Sequence, residues 1–300
     1  MAEAESSVIQ TVGLTKYYGK VRGIEDLNLE IRKGEIFGFL GPNGAGKTTT
    51  IRLLLDLLRP SRGHALIFGL DAHRCSYQIR QRLGNVPGDV SLYEGMSGHE
   101  LLALLGHLRH SSSPRTEELA GRLDLDLGRR IGTYSRGMKQ KLAIIQALMG
   151  DPELLILDEP TLGLDPLMQR EFYHLLAEEK KRGKTAFLSS HILSEVERVC
   201  DRVGIVRQGL LVDVEEVSEL KRKKVRQMEL TFSHEVNPDD LGLTGVEVLR
   251  HQGRVVELAV HGDIEALLKQ LASLPIEDMV FPEATLEDTF MKFYSDEVPG

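Results

Sequence analysis

The chain has 300 residues, enough for one large domain and a small one. Its 41% hydrophobic and 27% charged residues are ordinary for a soluble globular protein, and a formal net charge of -8 argues against broad, sequence-blind binding to nucleic acid, which needs a basic face. Cys75 and Cys200 stand far apart and in no metal-ligand spacing, so neither a disulfide framework nor a zinc site is expected and a reducing compartment fits.

The first residues, Met1–Glu5, are acidic and lack the basic-then-apolar layout of a signal peptide. No apolar run approaches the roughly 18 residues a spanning helix needs. The expectation is a cytoplasmic protein whose membrane role, if any, is borrowed from a partner.

Val8–Leu14 and Ile24–Ile31 alternate apolar and polar residues and predict two strands, with Gly19 and Gly23 marking turns. Glu35–Leu40 is a nearly continuous apolar run, the pattern of a strand buried on both faces. A glycine-rich loop follows, and then a predicted helix from about Gly46 to Leu58 with Ile51, Leu54, Leu55 and Leu58 on one stripe. From about Asp71 to Gly150 the pattern is mainly helical, clearest over Gly98–His110, Thr116–Leu125 and Arg136–Met149. Buried-strand patterns return at Leu154–Asp158, Thr185–Ser190 and Val203–Val206, and Gln208-Gly209 predicts a hairpin turn into Leu210–Val212. This is an α/β core interrupted by a helical insertion. A basic run, Lys221–Lys224, reads as a solvated linker to a small mixed domain with strands at Met228–Phe232 and Val255–Val260 and a helix near Asp263–Leu271.

The strongest chemical signal is Gly41-Pro42-Asn43-Gly44-Ala45-Gly46-Lys47-Thr48, a complete P-loop. A polyphosphate needs several backbone N–H donors turned inward, and glycines let the chain wrap that closely. The helix beginning there adds its positive dipole end. Lys47 supplies a charge for the outer phosphates, and the Thr48 hydroxyl is placed to ligate Mg²⁺. Leu154–Leu157 then ends in Asp158-Glu159-Pro160. Asp158 at the strand end would hold Mg²⁺, through water, and Glu159 would polarise the attacking water. His191 ends another buried strand, within reach of a γ-phosphate. The remaining histidines, among them His107 and His110, read as surface residues.

With these three elements in order, the chain resembles the ATP-binding subunits of ABC transporters over about residues 8–215. The most specific part is Tyr134-Ser135-Arg136-Gly137-Met138-Lys139-Gln140, which looks like the family signature, usually Leu-Ser-Gly-Gly-Gln. The resemblance implies that Ser135, Arg136 and the Gly137 backbone face the γ-phosphate held by another subunit; Ser135 is also a good N-cap, leaving the N–H groups behind it to face an anion. Arg136 replaces a glycine of the usual pattern and Met138 a glutamine. Leu83–Asp89 resembles the segment carrying the Q-loop glutamine, yet Gly88 occupies that position, and Asp89 is the neighbour available to substitute as a metal ligand.

Tyr18 looks like the aromatic that stacks on adenine, Thr49 extends the phosphate cradle, and Asp165 in Gly163-Leu164-Asp165 looks like the D-loop aspartate that crosses a dimer interface. The absence of an Asn-Lys-x-Asp or Thr-Lys-x-Asp guanine reader favours ATP. The fold implied is a P-loop NTPase core of the ABC ATPase type, with an antiparallel β subdomain and a helical insertion at about 71–150, spanning 1–220, followed by a small α+β accessory domain at 225–300.

Val90–Glu100, Leu167–Glu197 and the tail Leu286–Phe290 resemble exporter-type members, in which the membrane-spanning permease is a separate chain. The resemblance therefore implies an Mg²⁺-dependent ATPase, a homodimer or a dimer with a related ATPase, seated on the cytoplasmic face of the membrane, with no nucleic acid partner. The alternatives are a soluble ABC ATPase acting on ribosomes or nucleic acid, and a weakly catalytic nucleotide-binding subunit.

Overall fold

Residues 7–108, 115–222, 226–260 and 264–281 are described by the computed structural model, and the chain divides between Val217 and Ser218 into two compact units. In the first unit β1 (Ser7–Tyr18) and β2 (Val21–Arg32) pair antiparallel and run beyond the expected spans. The register shifts between Thr11 and Leu14, around Gly13 at φ 55°, after which the polar Thr15–Tyr18 stretch goes on pairing through its backbone. Those residues carry no hydrophobic alternation to read.

β3 (Ile36–Leu40) is buried at every position. The helix that follows, α1 (Lys47–Leu54), stops at Leu54 rather than Leu58, because Asp56 turns to φ 56° and the Leu57 and Leu58 N–H groups both return to the Arg52 carbonyl. β4 (Arg62–Ile67) and β5 (Leu70–Asp71) complete a four-stranded antiparallel sheet in the order β2-β1-β4-β5.

The stretch expected to be helical from about Asp71 to Gly150 is so only in part. α2 (Ser76–Gln81) is a helix, but β6 (Leu83–Val86) is a strand lying parallel to β7 (Leu154–Asp158). Four residues that include a glycine and an asparagine carry little strand signal. Gly84 is needed there, since a Cβ would stand 2.2 Å from the Ala147 carbonyl oxygen. α3 (Gly98–Leu108), α4 (Arg115–Arg122) and α5 (Arg136–Leu148) make up the rest. Arg122 ties α4 to α6 (Pro166–Lys181), donating to Glu171 at 2.6 Å and to Glu178 at 2.5 and 2.9 Å.

β8 (Thr185–Ser190), α7 (Leu193–Val199), β9 (Arg202–Arg207) and β10 (Leu210–Glu216) complete the unit. The central sheet has six strands in the order β10-β9-β3-β8-β7-β6, parallel throughout except for β10. β10 returns through Gln208-Gly209, both left-handed at φ 50° and 81°, as a tight hairpin turn requires. Phe37 and Phe187 stack with ring centroids 6.2 Å apart in the core of this sheet. Gly38 lets α7 lie close on β3: a Cβ there would meet Val196 at 2.9 Å and the Cys200 sulfur at 3.0 Å.

The second unit holds most of α8 (Val217–Arg222), then β11 (Arg226–Phe232), β12 (Val246–Gln252), β13 (Val255–Val260), α9 (Ile264–Leu271) and β14 (Ile276–Val280). Its strands form an antiparallel sheet ordered β12-β13-β11-β14. Leu267 and Leu271 of α9 share a core with Met228, Leu230, Phe232, Val256, Leu258 and Val260. Lys223 and Lys224 of the basic run, and the Leu286–Phe290 segment, lie outside the described residues. Among the described residues no helix is long and apolar enough to cross a membrane.

Candidate functional site

The Gly41–Thr48 loop leaves the buried end of β3 and turns into α1. Its glycines are required by space and by backbone sign. A Cβ at Gly41 would stand 2.3 Å from the Val206 carbonyl oxygen, and Gly44 and Gly46 take φ 80° and 109°. Lys47 is 5% exposed. Its Nζ donates to the carbonyl oxygens of Gly41 at 2.7 Å and Pro42 at 3.1 Å and lies 3.4 Å from Glu159 Oε1. The loop is thus curled around its own ammonium, which donates to two of its carbonyls and pairs with a carboxylate. Thr48 is exposed at the start of α1, and Thr49 Oγ1 is 3.4 Å from the hydroxyl of Tyr18. Tyr18 is 45% exposed, with the Lys16 ammonium 5.6 Å from its ring centroid.

Asp158 and Glu159 stand at the end of β7, where the backbone changes hand. Asp158 is 2% exposed and its Oδ1 accepts a 2.5 Å hydrogen bond from Ser189. Among the described residues no lysine or arginine pairs with it. Glu159 takes φ 46°, which a long side chain adopts only under constraint. The constraint comes from β8: the Glu159 N–H donates to the Ser189 hydroxyl at 3.1 Å and to the Ser189 carbonyl at 3.2 Å. The turn aims the carboxylate across the P-loop, with Oε1 toward Lys47 and Oε2 3.2 Å from His191 Nδ1. Lys47, Glu159 and His191, three residues from three segments of sequence, are therefore brought together.

Thr48, Asp158, Glu159 and Asp89 line one cavity of about 350 Å³, together with Asn85 and Gly88. A buried carboxylate paired only with a hydroxyl, facing the hydroxyl-bearing start of α1 across a polar cavity, is a donor set suited to Mg²⁺. Gly88 lies so close to Asp158 that a Cβ would stand 2.9 Å from Oδ2. Asn85 Oδ1 is buried with no hydrogen-bond partner among the described residues, a condition that costs about 1–3 kcal/mol.

Ser135, Arg136, Gly137 and Asp165 are held elsewhere, outside the wall of that cavity. Ser135 caps α5, accepting from the Met138 N–H at 3.2 Å. Gly137 packs on Gly163, whose carbonyl oxygen would stand 2.6 Å from a Cβ. Asp165 caps α6, and the N–H groups of Met168 and Leu167, each 3.0 Å away, hold its carboxyl below the usual carboxylate range. Gln140, 5% exposed, joins these two segments by donating to the Pro160 carbonyl at 2.8 Å.

Sequence reasoning missed Glu195 as an organiser. Buried in α7, it accepts from Thr161 at 2.5 Å, Tyr173 at 3.1 Å and Ser190 at 2.7 Å, tying the segment after Glu159 to the end of β8. Burial, with this carboxylate beside it, pushes the Tyr173 hydroxyl well up. The only sequence signal is a glutamate adjoining the apolar pair Leu193 and Val196 in a short helix, and its partners Thr161 and Tyr173 come from distant positions.

A buried strand, a glycine loop curled around lysine, and a carboxylate pair on the same parallel sheet define a nucleotide-binding P-loop protein. Comparison with known proteins narrows the class. The ABC transporter family profile matches residues 24–162. The chain is 35% identical to the bacitracin transport ATP-binding protein BcrA of Bacillus licheniformis, over 96% of this chain and 97% of that one. It is 33% identical to the daunorubicin resistance ATP-binding protein DrrA3 of Streptomyces coeruleorubidus, over 97% of each. A solved ATP-binding subunit of an ABC transporter, 31% identical, superposes over 72% of this chain and 92% of its own with a TM-score of 0.67. The protein belongs to the ATP-binding subunits of the ABC transporter family, which bind and hydrolyse ATP.

Proposed function

We propose that this chain is the ATPase of a membrane exporter, working as a dimer with a second copy or a related ATPase, on the cytoplasmic face of a separate multi-span permease. The observation that carries the reading is the bracketing of Glu159 between Lys47 and His191, beside a buried Asp158 that no lysine or arginine among the described residues neutralises. The names of BcrA and DrrA3, given for bacitracin transport and daunorubicin resistance, support outward movement of a toxic compound.

In this mechanism Tyr18 stacks on adenine and the Gly41–Thr49 loop wraps the phosphates, with the N–H groups from Asn43 onward turned toward them. Lys47 gives up its carbonyl partners, Gly41 and Pro42, for phosphate oxygens. Thr48 and, through water, Asp158 would hold Mg²⁺, which when bound would neutralise charge on the triphosphate; Asp89, on the same cavity, is a further oxygen donor. Glu159 accepts a proton from the attacking water and His191 donates a hydrogen bond to the γ-phosphate.

The position of Ser135 supports a dimer. The capped start of α5 would offer its N–H groups to an anion, yet it lies off the cavity of its own chain, so the γ-phosphate it would meet is that of a second copy. Asp165 would sit at that crossing. The γ-phosphate then favours the closed dimer, and hydrolysis releases it.

The direct test is Glu159→Gln, followed by light scattering and turnover with ATP. ATPase activity should fall by about 10²- to 10⁴-fold, and the variant should persist as an ATP-bound dimer. A variant that stays monomeric at saturating ATP would contradict the mechanism. Recovery of the tagged protein from native membranes in mild detergent should bring down a multi-span protein in equal amount; recovery with ribosomes or nucleic acid instead would replace the exporter reading.

A further inference from the structure

The carboxylate of Glu195 divides its two oxygens between two parts of the site. It is 7% exposed, in α7, one helical turn along the chain from His191. Oε1 accepts from the hydroxyls of Thr161 at 2.5 Å and Tyr173 at 3.1 Å, and Oε2 from the hydroxyl of Ser190 at 2.7 Å. Thr161 follows Glu159 in a turn closed by the Leu162 N–H on the Glu159 carbonyl at 3.1 Å, and Tyr173 belongs to α6. Ser190 is the last residue of β8 and directly precedes His191. Thr161, Tyr173 and Ser190 are all buried, and among the described residues no lysine or arginine forms an ion pair with Glu195.

The arrangement is directional. An ionised carboxylate only accepts, so all three hydroxyls turn their protons toward Glu195. For Ser190 this leaves the lone pairs of its oxygen to take the Ile192 N–H at 2.9 Å, a bond that closes over His191 and sets the bend at which the chain leaves the sheet. The other acceptor near the Ser190 hydroxyl is the Ile192 carbonyl, at 3.3 Å. Glu159, by contrast, has its own anchor, in the bonds from its N–H to Ser189. The approach of His191 Nδ1 to Glu159 Oε2, at 3.2 Å, therefore depends on Ser190, and Ser190 on Glu195.

We propose that Glu195 is a positioning residue for hydrolysis: by fixing the Ser190 hydroxyl against the Thr161 turn, it sets the approach of His191 to Glu159, although it bonds to neither of those side chains. The proposal rests on the roles given above to Glu159 and His191. An amide in its place would have to donate where the carboxylate now accepts. One of the hydroxyls must then turn its proton away, and the bend at His191 loses its fixed reference.

The experiment measures steady-state ATP hydrolysis by the full-length protein, with a thermal melt of every variant. Glu195→Gln keeps the volume and exchanges one acceptor oxygen for an N–H donor. Its kcat should fall about 10²-fold, the cost of a misplacement of about 1 Å at a reacting group, with KM for ATP within about twofold of wild type because the phosphate cradle is untouched. In a His191→Ala background the same substitution should change kcat by less than about threefold, since the side chain it acts through is already gone. Thr161→Val keeps the shape of a residue that reaches the Ser190 bend through Glu195. It should slow turnover in the same direction and be equally silent without His191, a second reading that holds even where the glutamine variant does not fold. If Glu195 only held the fold together, Glu195→Gln would melt lower yet turn over as wild type does well below its melting temperature. If it acted elsewhere, its effect would multiply with that of His191→Ala. Either outcome overturns the proposal. A His191→Ala variant as fast as wild type would instead remove the role of His191 in the ATPase reading, and the proposal with it, so the two failures are distinguishable.

Discussion

The hydroxyl of Ser189 donates to Asp158 and accepts from the Glu159 N–H, so one oxygen fixes both carboxylates at the end of β7. Ser189 is itself fully buried. Ser189→Ala removes no bulk but leaves a buried carboxylate oxygen and a buried N–H without this partner. The expected cost is about 2 kcal/mol, a fall of roughly 5 °C in melting temperature for a unit of this size. Turnover should fall with KM for ATP little changed, because the phosphate cradle is untouched. Thermal melts and steady-state kinetics check both. The individual site residues were legible to different degrees for physical reasons. Gly41–Thr48 declares itself because wrapping a polyphosphate needs glycine at fixed spacing from lysine. Ser189 and Glu195 did not, because a serine or glutamate reads the same in sequence whether it faces water or holds two strands together. Gly88 could be seen as a side chain missing from a pattern, but its approach to Asp158 could not.

Between elements, Arg122 is the clamp that holds α4 on α6. The Arg122 hydrogen bond holds the Glu178 carboxyl below its ordinary range. Stabilisation from a carboxyl depressed in the folded state is complete above the unfolded value, about 4.3, and is lost as pH falls through the lower folded value. Both side chains are partly exposed, so solvent screens the pair. Arg122→Ala should therefore cost about 1 kcal/mol at pH 7 and 0.1 M salt, and the deficit should shrink as pH falls below the unfolded value and through the lower folded one. Urea titrations at several pH values would show it; a deficit independent of pH would mean that packing of the arginine stem, rather than charge, holds α4. At this scale the hydrophobic period gave the strands β3, β7 and β8 and the helices α3 to α5 closely. It failed at β6, where a four-residue strand with glycine and asparagine has its pairing decided by β7. It also overran α1, whose apolar stripe continues to Leu58 although Asp56 breaks the backbone.

For the whole chain, the two units carry separate hydrophobic cores, one built on the large sheets and one on Met228, Leu230, Phe232 and their partners. The residues proposed to bind nucleotide all belong to the first. Calorimetry should thus resolve two transitions, and ATP with Mg²⁺ at a hundredfold excess over its dissociation constant should stabilise the larger unit by about 2.7 kcal/mol while leaving the other in place. A single transition moved as a whole by ATP would mean that the units unfold together. Composition and a single P-loop made the class of protein legible from sequence, and the order of motifs made the family legible. What order along a chain cannot carry is convergence: Lys47, Glu159 and His191 meet only because β3, β7 and β8 lie side by side.

The left-handed backbone of Glu159 bears on how the sequence can drift. Holding a long L-residue there costs about 1–3 kcal/mol, and glycine would relieve most of it. A sturdier protein thus lies one substitution away, reached by discarding the carboxylate that the proposed chemistry depends on. Lineages selected only for abundance would be expected to slide toward glycine at this position, whereas those selected for turnover must keep the costlier residue. A library of variants at position 159, sorted once for folding yield and once for ATP hydrolysis, would rank its members in opposite orders.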